Sequence, residues 1–166
     1  MDVETITVLV GTTKGRASTV AEALGAILLR HGLRVEIVAM DRVDPDTVAA
    51  ADAIVVCTST FGAGGVPANA VGFLDRLRSG DVLCRGKPVG YVGLVDRSFH
   101  RTYNGGWCSF EQAFTERGAV TIGAPLLFDA ADVAAPAEAA AVRQIRVAEW
   151  VEDFLAALRR SVPPSS

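Results

Sequence analysis

The sequence lacks a long hydrophobic run, an excess of positive charge and a basic N-terminus. No apolar stretch approaches the roughly 20 residues that a membrane-spanning helix needs. The net charge of -3 and the pI of about 5.4 argue against a concentrated basic face for nucleic acid. The N-terminus, MDVETITVLV, carries acidic residues where a signal peptide needs basic ones. We therefore expect a cytoplasmic protein that binds neither membranes nor nucleic acids.

Sequence signals for metal binding or covalent catalysis are also missing. The three cysteines, Cys57, Cys84 and Cys108, show no metal-ligand spacing, and in a reducing compartment we expect reduced thiols. There is no nucleophile elbow, and the position after Gly15 holds Arg16 rather than a Walker lysine. We therefore assign no metal site and no catalytic residue from the sequence.

The hydrophobic content is high for a chain of this length. Half of the 166 residues are hydrophobic and the mean hydropathy is positive, which suits an α/β protein with buried parallel strands. The length corresponds to one domain. We expect a single domain over residues 1–160 and a disordered tail, SVPPSS, over residues 161–166.

Apolar strands alternate with amphipathic segments along the chain, which predicts a parallel sheet with helices on both faces. The expected strand order is 2-1-3-4-5. The predicted strands are Thr5–Val10, Leu33–Ala39 (near an edge), Ala53–Thr58, Pro88–Val95 and Ala119–Phe128. Helices are predicted from about Ala17 to His31, from Pro67 to Gly80 (with Val71, Leu74 and Leu77 inward), from Trp107 to near Gly118, and from Pro136 onward, with one helical turn within Asp41–Asp52.

Three polar, glycine-containing loops follow the first, third and fourth predicted strands. In this strand order the ligand crevice lies outside the carboxyl ends of strands one and three, where the winding reverses. All three loops would open onto that crevice. The first loop, between a strand and a helix, is suited to an anion because unpaired N–H groups and the helix dipole meet there. Thr12 and Thr13 add hydroxyl donors, and Gly15 lets the backbone approach a phosphate.

The three loops resemble the flavodoxin family. The first, Gly11 to Ala17, reads GTTKGRA and fits the family's phosphate-loop pattern except at Lys14. The second, Ser59 to Gly64, reads STFGAG and is followed by Pro67 and Asn69, as in the family. The third, Gly93 to Phe99, reads GLVDRSF. The match covers nearly the whole chain and looks closest to short-chain flavodoxins of the MioC type.

The resemblance implies that the chain binds FMN. The first loop would hold the 5′-phosphate, and the second and third would sandwich the flavin ring, with Phe61 and Phe99 at the aromatic positions. Gly62 would supply the peptide that turns toward flavin N5 on reduction. The implied cofactor-binding residues are Thr12, Thr13, Lys14, Gly15, Arg16, Ala17, Ser59, Thr60, Phe61, Gly62, Ala63, Gly64, Leu94, Val95, Asp96, Phe99, Tyr103 and Asn104.

The sequence departs from the family in its charges and in one glycine. Val95 replaces the second glycine of the third motif. Cations enter loops that are usually neutral or acidic in flavodoxins. They are Lys14, Arg16, Arg97, His100 and Arg101. A basic rim predicts an acidic partner face and a less negative potential for the second electron than is usual for flavodoxins.

Three functions remain open at this point. The first is an electron carrier between a reductase and an acceptor enzyme, which the resemblance favours; such a carrier is expected to be a monomer. The second is a flavin-dependent NAD(P)H or quinone reductase, against which the missing G-x-G-x-x-G weighs modestly. The third is a non-catalytic signalling module. Such a module would need a phospho-acceptor Asp at the end of strand three, and the sequence has none there. Fold alone does not separate them.

Overall fold

The computed structural model describes residues 3–61, 65–95, 105–129 and 137–161. Six strands and five helices lie within these ranges. The strands are β1 (Thr5–Gly11), β2 (Arg34–Ala39), β3 (Ala53–Thr58), β4 (Pro88–Val95), β5 (Val120–Thr121) and β6 (Leu126–Asp129). The helices are α1 (Arg16–Arg30), α2 (Pro45–Ala50), α3 (Ala68–Ser79), α4 (Trp107–Glu116) and α5 (Ala137–Ser161).

All strand pairings in the sheet are parallel. The order is β2-β1-β3-β4-β5, and β6 also pairs with β4. This confirms the predicted fold class, a flavodoxin-like α/β sheet of order 2-1-3-4-5. It also confirms that the second strand lies at an edge, and no residue of β2 is fully buried.

The two faces of the sheet are covered by different helices. Residues Ile6, Val8 and Val10 of β1 pack with α1 and α5, whereas Leu9 packs on the other face with α3 and α4. Most of the strand is apolar because both of its faces are buried, although Thr7 is buried as well. The same alternation holds in β3, every residue of which is buried. Because both of their faces are buried, these strands could be recognised in the sequence as mostly apolar runs.

The prediction of one continuous fifth strand over Ala119–Phe128 is wrong. It is divided into β5 and β6 by residues 122–125, which read IGAP. Gly123 has φ +67, a left-handed conformation that no strand continues through, and Pro125 has no N–H for the ladder. The two short strands pair with successive parts of β4 and together form this edge of the sheet.

Two details of the helices differ from the prediction, whereas the short helix within Asp41–Asp52 agrees with it. Val71 was expected to face inward but is 47% exposed, because the buried stripe of α3 runs through Ala70, Phe73, Leu74 and Leu77. The segment Asp41–Asp52 contains a helix of six residues, α2, capped by Asp44. Ser161, predicted to begin the tail, is the last residue of α5, and its hydroxyl donates to the Ala157 carbonyl at 2.9 Å.

Two other predictions fall outside the described residues. These are Pro136 as the first residue of the last helix, and disorder over residues 162–166. Within the described ranges, no helix has both the length and the apolar character that crossing a membrane requires.

Candidate functional site

The carboxyl ends of β1, β3 and β4 meet at one edge of the sheet, and the first two predicted loops meet there. The Ser59 N–H, at the end of β3, donates to the Gly11 carbonyl, at the end of β1, at 2.9 Å. The Thr60 hydroxyl donates to the Leu94 carbonyl of β4 at 2.8 Å. The structure therefore brings together loop one (residues 11–17), the described part of loop two (residues 59–61 and 65) and the end of β4.

Loop one is held by its own polar groups and by one residue of α3. The Gly15 N–H donates to the Thr12 hydroxyl at 2.9 Å, which closes a tight turn within the loop. The Thr12 N–H donates to the Asn69 side-chain oxygen, also at 2.9 Å. Gly15 has φ +82 and directly precedes α1, which begins at Arg16. This conformation suits glycine, and it turns the chain from loop to helix.

A set of backbone N–H groups remains unpaired around this turn. Among the described residues, none accepts a hydrogen bond from the N–H groups of Thr13, Lys14, Arg16, Ala17 and Ser18. The first turn of a helix cannot satisfy its own donors, so such groups require an outside acceptor. The set is narrower than predicted, because the Thr12 and Gly15 N–H groups are used within the protein. The Thr12 hydroxyl, which accepts from Gly15, keeps its own hydrogen to donate.

We call this set of unpaired N–H groups the cradle. The charges around the cradle favour binding of an anion. The N-terminus of α1 carries partial positive charge from its peptide dipoles, and α1 has no acidic residue in its first turn. Lys14 is exposed and Arg16 is half-buried, and neither lies within ion-pair distance of a carboxylate in the described ranges. Open space lies above Gly15, where an added Cβ would meet no atom within 4 Å. Such donors suit an anionic group, for example a phosphate monoester.

Thr60 connects three segments through its hydroxyl. Besides donating to Leu94, the oxygen accepts the Gly106 N–H at 3.1 Å, just before α4. Gly105, with φ +64, leaves room for this contact, since a Cβ there would lie 2.4 Å from the Thr60 oxygen. Thr60 was predicted among the cofactor-binding residues. The structure shows its hydroxyl holding loop two against β4 and α4.

We expect Thr60→Val to lower the free energy of unfolding by about 1–3 kcal/mol, because the Gly106 N–H and the Leu94 carbonyl lose their partner. Thr60→Ser keeps the hydroxyl and is expected to lose much less. Urea unfolding of the two variants beside the parent measures this difference. If the Val and Ser variants have equal free energies of unfolding, the Thr60 hydroxyl does not stabilise the contact between loop two, β4 and α4.

Phe61 lies exposed at the base of loop two. Its N–H and carbonyl pair with those of Gly65, both at 2.9 Å, in an antiparallel bridge. The side chain is 58% exposed, one of the largest exposed apolar surfaces in the described ranges. A ring left in solvent beside a polar crevice is available to stack on a planar ligand.

The side chains at the end of β4 point into the protein. Leu94 and Val95 are each 1% exposed and pack into the two opposite cores. The same holds for Ala17, which is fully buried. At these three predicted positions only the backbone can contact a ligand. Seven predicted residues lie outside the described residues, together with the basic side chains of the third loop. They are Gly62, Ala63, Gly64, Asp96, Phe99, Tyr103 and Asn104, and Arg97, His100 and Arg101.

Burial reduces the reactivity of the cysteine thiols. Cys57 is buried below loop one, where its thiol donates to the Ala17 carbonyl at 3.4 Å, and burial raises its pKa to about 12. Burial also raises the thiol pKa of Cys84 and Cys108. A raised pKa leaves little thiolate near neutral pH, and the thiolate is the reactive form. Cys57 packs as a small hydrophobic residue, as predicted.

Sequence reasoning did not assign Asn69, Gly105 or Gly106 to the site. Asn69 was noted in the second loop pattern, but its bond to a residue 57 positions away has no local sequence signal. Gly106 packs where a Cβ would lie 2.8 Å from the Gly65 carbonyl oxygen. The pair Gly105-Gly106 before a predicted helix was the available clue to close backbone packing.

The fold and this loop arrangement define a flavodoxin-like protein. The model of the flavodoxin family matches residues 8–142, most of the chain. The chain therefore belongs to the flavodoxin family.

Individual relatives share a modest part of the sequence. The chain is 29% identical to the uncharacterized protein PA3435 of Pseudomonas aeruginosa over 154 residues, 93% of this chain and 98% of that protein. Among solved structures, a short-chain flavodoxin associated with a bacterial microcompartment has a TM-score of 0.75 at 23% identity, covering 92% of this chain and 97% of that one. Fusobacterium nucleatum flavodoxin bound to flavin mononucleotide has a TM-score of 0.74 at 14% identity, covering 92% and 98%. The likeness to the MioC type stays a prediction.

Proposed function

We propose that this protein binds FMN at the carboxyl edge of the sheet and carries electrons between a reductase and an acceptor enzyme. The observation that carries the proposal is the cradle of unpaired N–H groups at Thr13, Lys14 and Arg16–Ser18, at the start of α1. It matches the terminal phosphate of a mononucleotide in charge and in hydrogen-bonding capacity. Family membership and the FMN-bound structural relative support the same ligand.

Each part of the site would have a separate task. Loop one and the Thr12 hydroxyl would hold the phosphate, with Lys14 and Arg16 adding positive charge. The Phe61 ring, exposed beside the crevice, would cover one part of the flavin ring. Loop two and the end of β4, joined by Thr60, would set the position of that ring. When bound, FMN would supply the one-electron redox chemistry, and the protein supplies binding, orientation and electrostatics.

The same reasoning disfavours a larger or different nucleotide. The cradle lies at a helix N-terminus suited to a terminal phosphate, and the sequence has no dinucleotide fingerprint. We expect flavin-free protein to bind FMN more tightly than FAD, and purified protein to be yellow. Mass spectrometry of the released cofactor and parallel titrations with FMN and FAD test this. Equal affinity for the two would contradict the assignment of the phosphate to loop one.

The partners of the carrier would be redox proteins. The exposed Lys14 and the basic residues of the third loop favour a partner with an acidic face, and association with it should slow as salt is added. Stopped-flow mixing with NADPH separates a carrier from a reductase. A carrier is expected to remain oxidised without a reductase, whereas rapid direct reduction would support the enzyme alternative.

A further inference from the structure

The side-chain amide of Asn69 bridges two backbone groups on either side of Gly11. Its oxygen accepts the Thr12 N–H at 2.9 Å, and its nitrogen donates to the Val10 carbonyl at 3.3 Å. Asn69 lies in the first turn of α3 and is half-buried. One amide therefore binds both Val10, near the end of β1, and Thr12 of loop one.

This amide takes the place of a neighbouring strand. In a parallel ladder, one residue donates to a carbonyl of the adjacent strand and accepts the N–H two residues further on. The Met40 N–H still donates to the Val10 carbonyl at 2.9 Å, but β2 has ended at Ala39. The Thr12 N–H is then accepted by Asn69 instead of by a strand carbonyl. The Asn69 side chain therefore continues the hydrogen-bonding pattern of the sheet to Thr12, the first residue after β1.

Gly11, between the two bridged groups, leaves room for the Thr58 side chain of β3 and for the first turn of α3. A Cβ on Gly11 would lie 2.6 Å from the Thr58 hydroxyl and 3.3 Å from the Ala70 Cβ. Because that carbon is absent, the first turn of α3 packs directly on the end of β1. This close packing brings the Asn69 side chain within hydrogen-bonding distance of the backbone of Val10 and Thr12.

Fixing Thr12 has consequences for the rest of the cradle. The Thr12 hydroxyl accepts the Gly15 N–H, so the position of Thr12 determines the turn that ends at Gly15. Gly15 in turn precedes the unpaired N–H groups of the first turn of α1. A chain of hydrogen bonds thus runs from Asn69 through Thr12 to the start of the helix.

We propose that Asn69 is the positioning residue that gives the site its preference for a phosphate-bearing flavin over riboflavin. The assignment deepens the proposed function and rests on it. Asn69 acts through the backbone of loop one and does not itself contact the phosphate. Its removal should therefore weaken the interaction with the phosphate and leave the interaction with the flavin ring nearly unchanged.

The test compares FMN with riboflavin, which has the same ring system but no phosphate. Both ligands are titrated into the flavin-free parent, Asn69→Leu and Asn69→Ala, with flavin fluorescence as the readout. Gly72→Ala is the matched control in α3, since its added Cβ would meet no atom within 4 Å. Thermal unfolding checks that each variant is folded, and Asn69→Ala replaces Asn69→Leu if the bulkier side chain prevents folding. Hydrogen exchange of the Thr12 amide reports directly on the bridge.

We expect the Asn69 variants to lose about tenfold or more in FMN affinity relative to riboflavin, as the loss of oriented phosphate donors implies. The Thr12 amide should exchange faster, and Gly72→Ala should behave as the parent. Equal weakening of FMN and riboflavin would reduce Asn69 to a structural residue, and an unchanged FMN preference would also overturn the assignment. A parent that binds FMN no better than riboflavin would contradict the proposed function as well.

Discussion

Gly15→Val is expected to reduce FMN affinity by about a hundredfold or more, because two or more charge-assisted hydrogen bonds to the phosphate depend on this turn. Gly15 has φ +82, and an added side chain would meet no atom within 4 Å. The expected loss therefore comes from backbone conformation rather than from a clash. A β-branched residue cannot hold the left-handed conformation without a cost of roughly 1–3 kcal/mol. The loop would relax, and the N–H groups of Lys14 and Arg16 on either side of Gly15 would be reoriented.

Gly32→Val is the matched control. Gly32 follows the other end of α1, has φ +80 and also has open space around its Cα. The two variants should lose similar free energies of unfolding, yet only Gly15→Val should lose FMN affinity. Fluorescence titration with FMN and riboflavin, beside urea unfolding, measures both quantities. The reading of loop one as the phosphate cradle is wrong if the two valine variants bind FMN equally well.

Gly106→Ala is expected to weaken FMN and riboflavin together. Gly106 has φ -67 and ψ -26, which alanine adopts without strain. Its Cβ, however, would lie 2.8 Å from the Gly65 carbonyl oxygen and 3.0 Å from that of Ser59. Both are backbone atoms of loop two, so the loop must move and the bond from Gly106 to Thr60 must lengthen. Overpacking of this kind costs roughly 1–3 kcal/mol of stability.

Gly72→Ala again provides the comparison, because it adds the same methyl group at an open position of α3. It should leave flavin affinity unchanged and stability equal or slightly higher. The measurement is titration with both flavins at matched temperature. If Gly106→Ala binds riboflavin as tightly as the parent, loop two does not position the flavin ring.

The fold was largely predictable because its central strands are buried on both faces. Continuous apolar runs at β3 and β4 indicated parallel strands under two helical layers, and both have the predicted bounds. Gly80, predicted to end the third helix, is the C-cap of α3 and has positive φ. These signals are local, so a single sequence contains them.

The errors arose where apolar content outweighed another local signal in the sequence. The fifth strand contains enough apolar residues to look continuous, but Gly123 and Pro125 divide it. Val71 is apolar and lies close to a buried stripe, yet one position along a helix rotates a side chain by about 100° and leaves it in solvent.

The site was predictable only in part, because several of its contacts join residues that are far apart along the chain. The phosphate loop has a compact pattern of glycine and threonine after a strand, and its turn at Gly15 follows from that pattern. The roles of Asn69 and Thr60 depend on partners 57 and 34 residues away along the chain. No spacing rule indicates such a bond, so the connections between the loops emerge only from the fold.

The central claim is that the start of α1 holds the phosphate of FMN, and amide chemical shifts test it most directly. FMN and riboflavin are added in turn to isotope-labelled, flavin-free protein. We expect the amides of Thr13, Lys14, Arg16, Ala17 and Ser18 to shift strongly with FMN and little with riboflavin. Equal shifts with both ligands at these amides would contradict it. So would FMN shifts centred on the cavity of about 290 Å³ between Gly123 and Trp150, away from loop one.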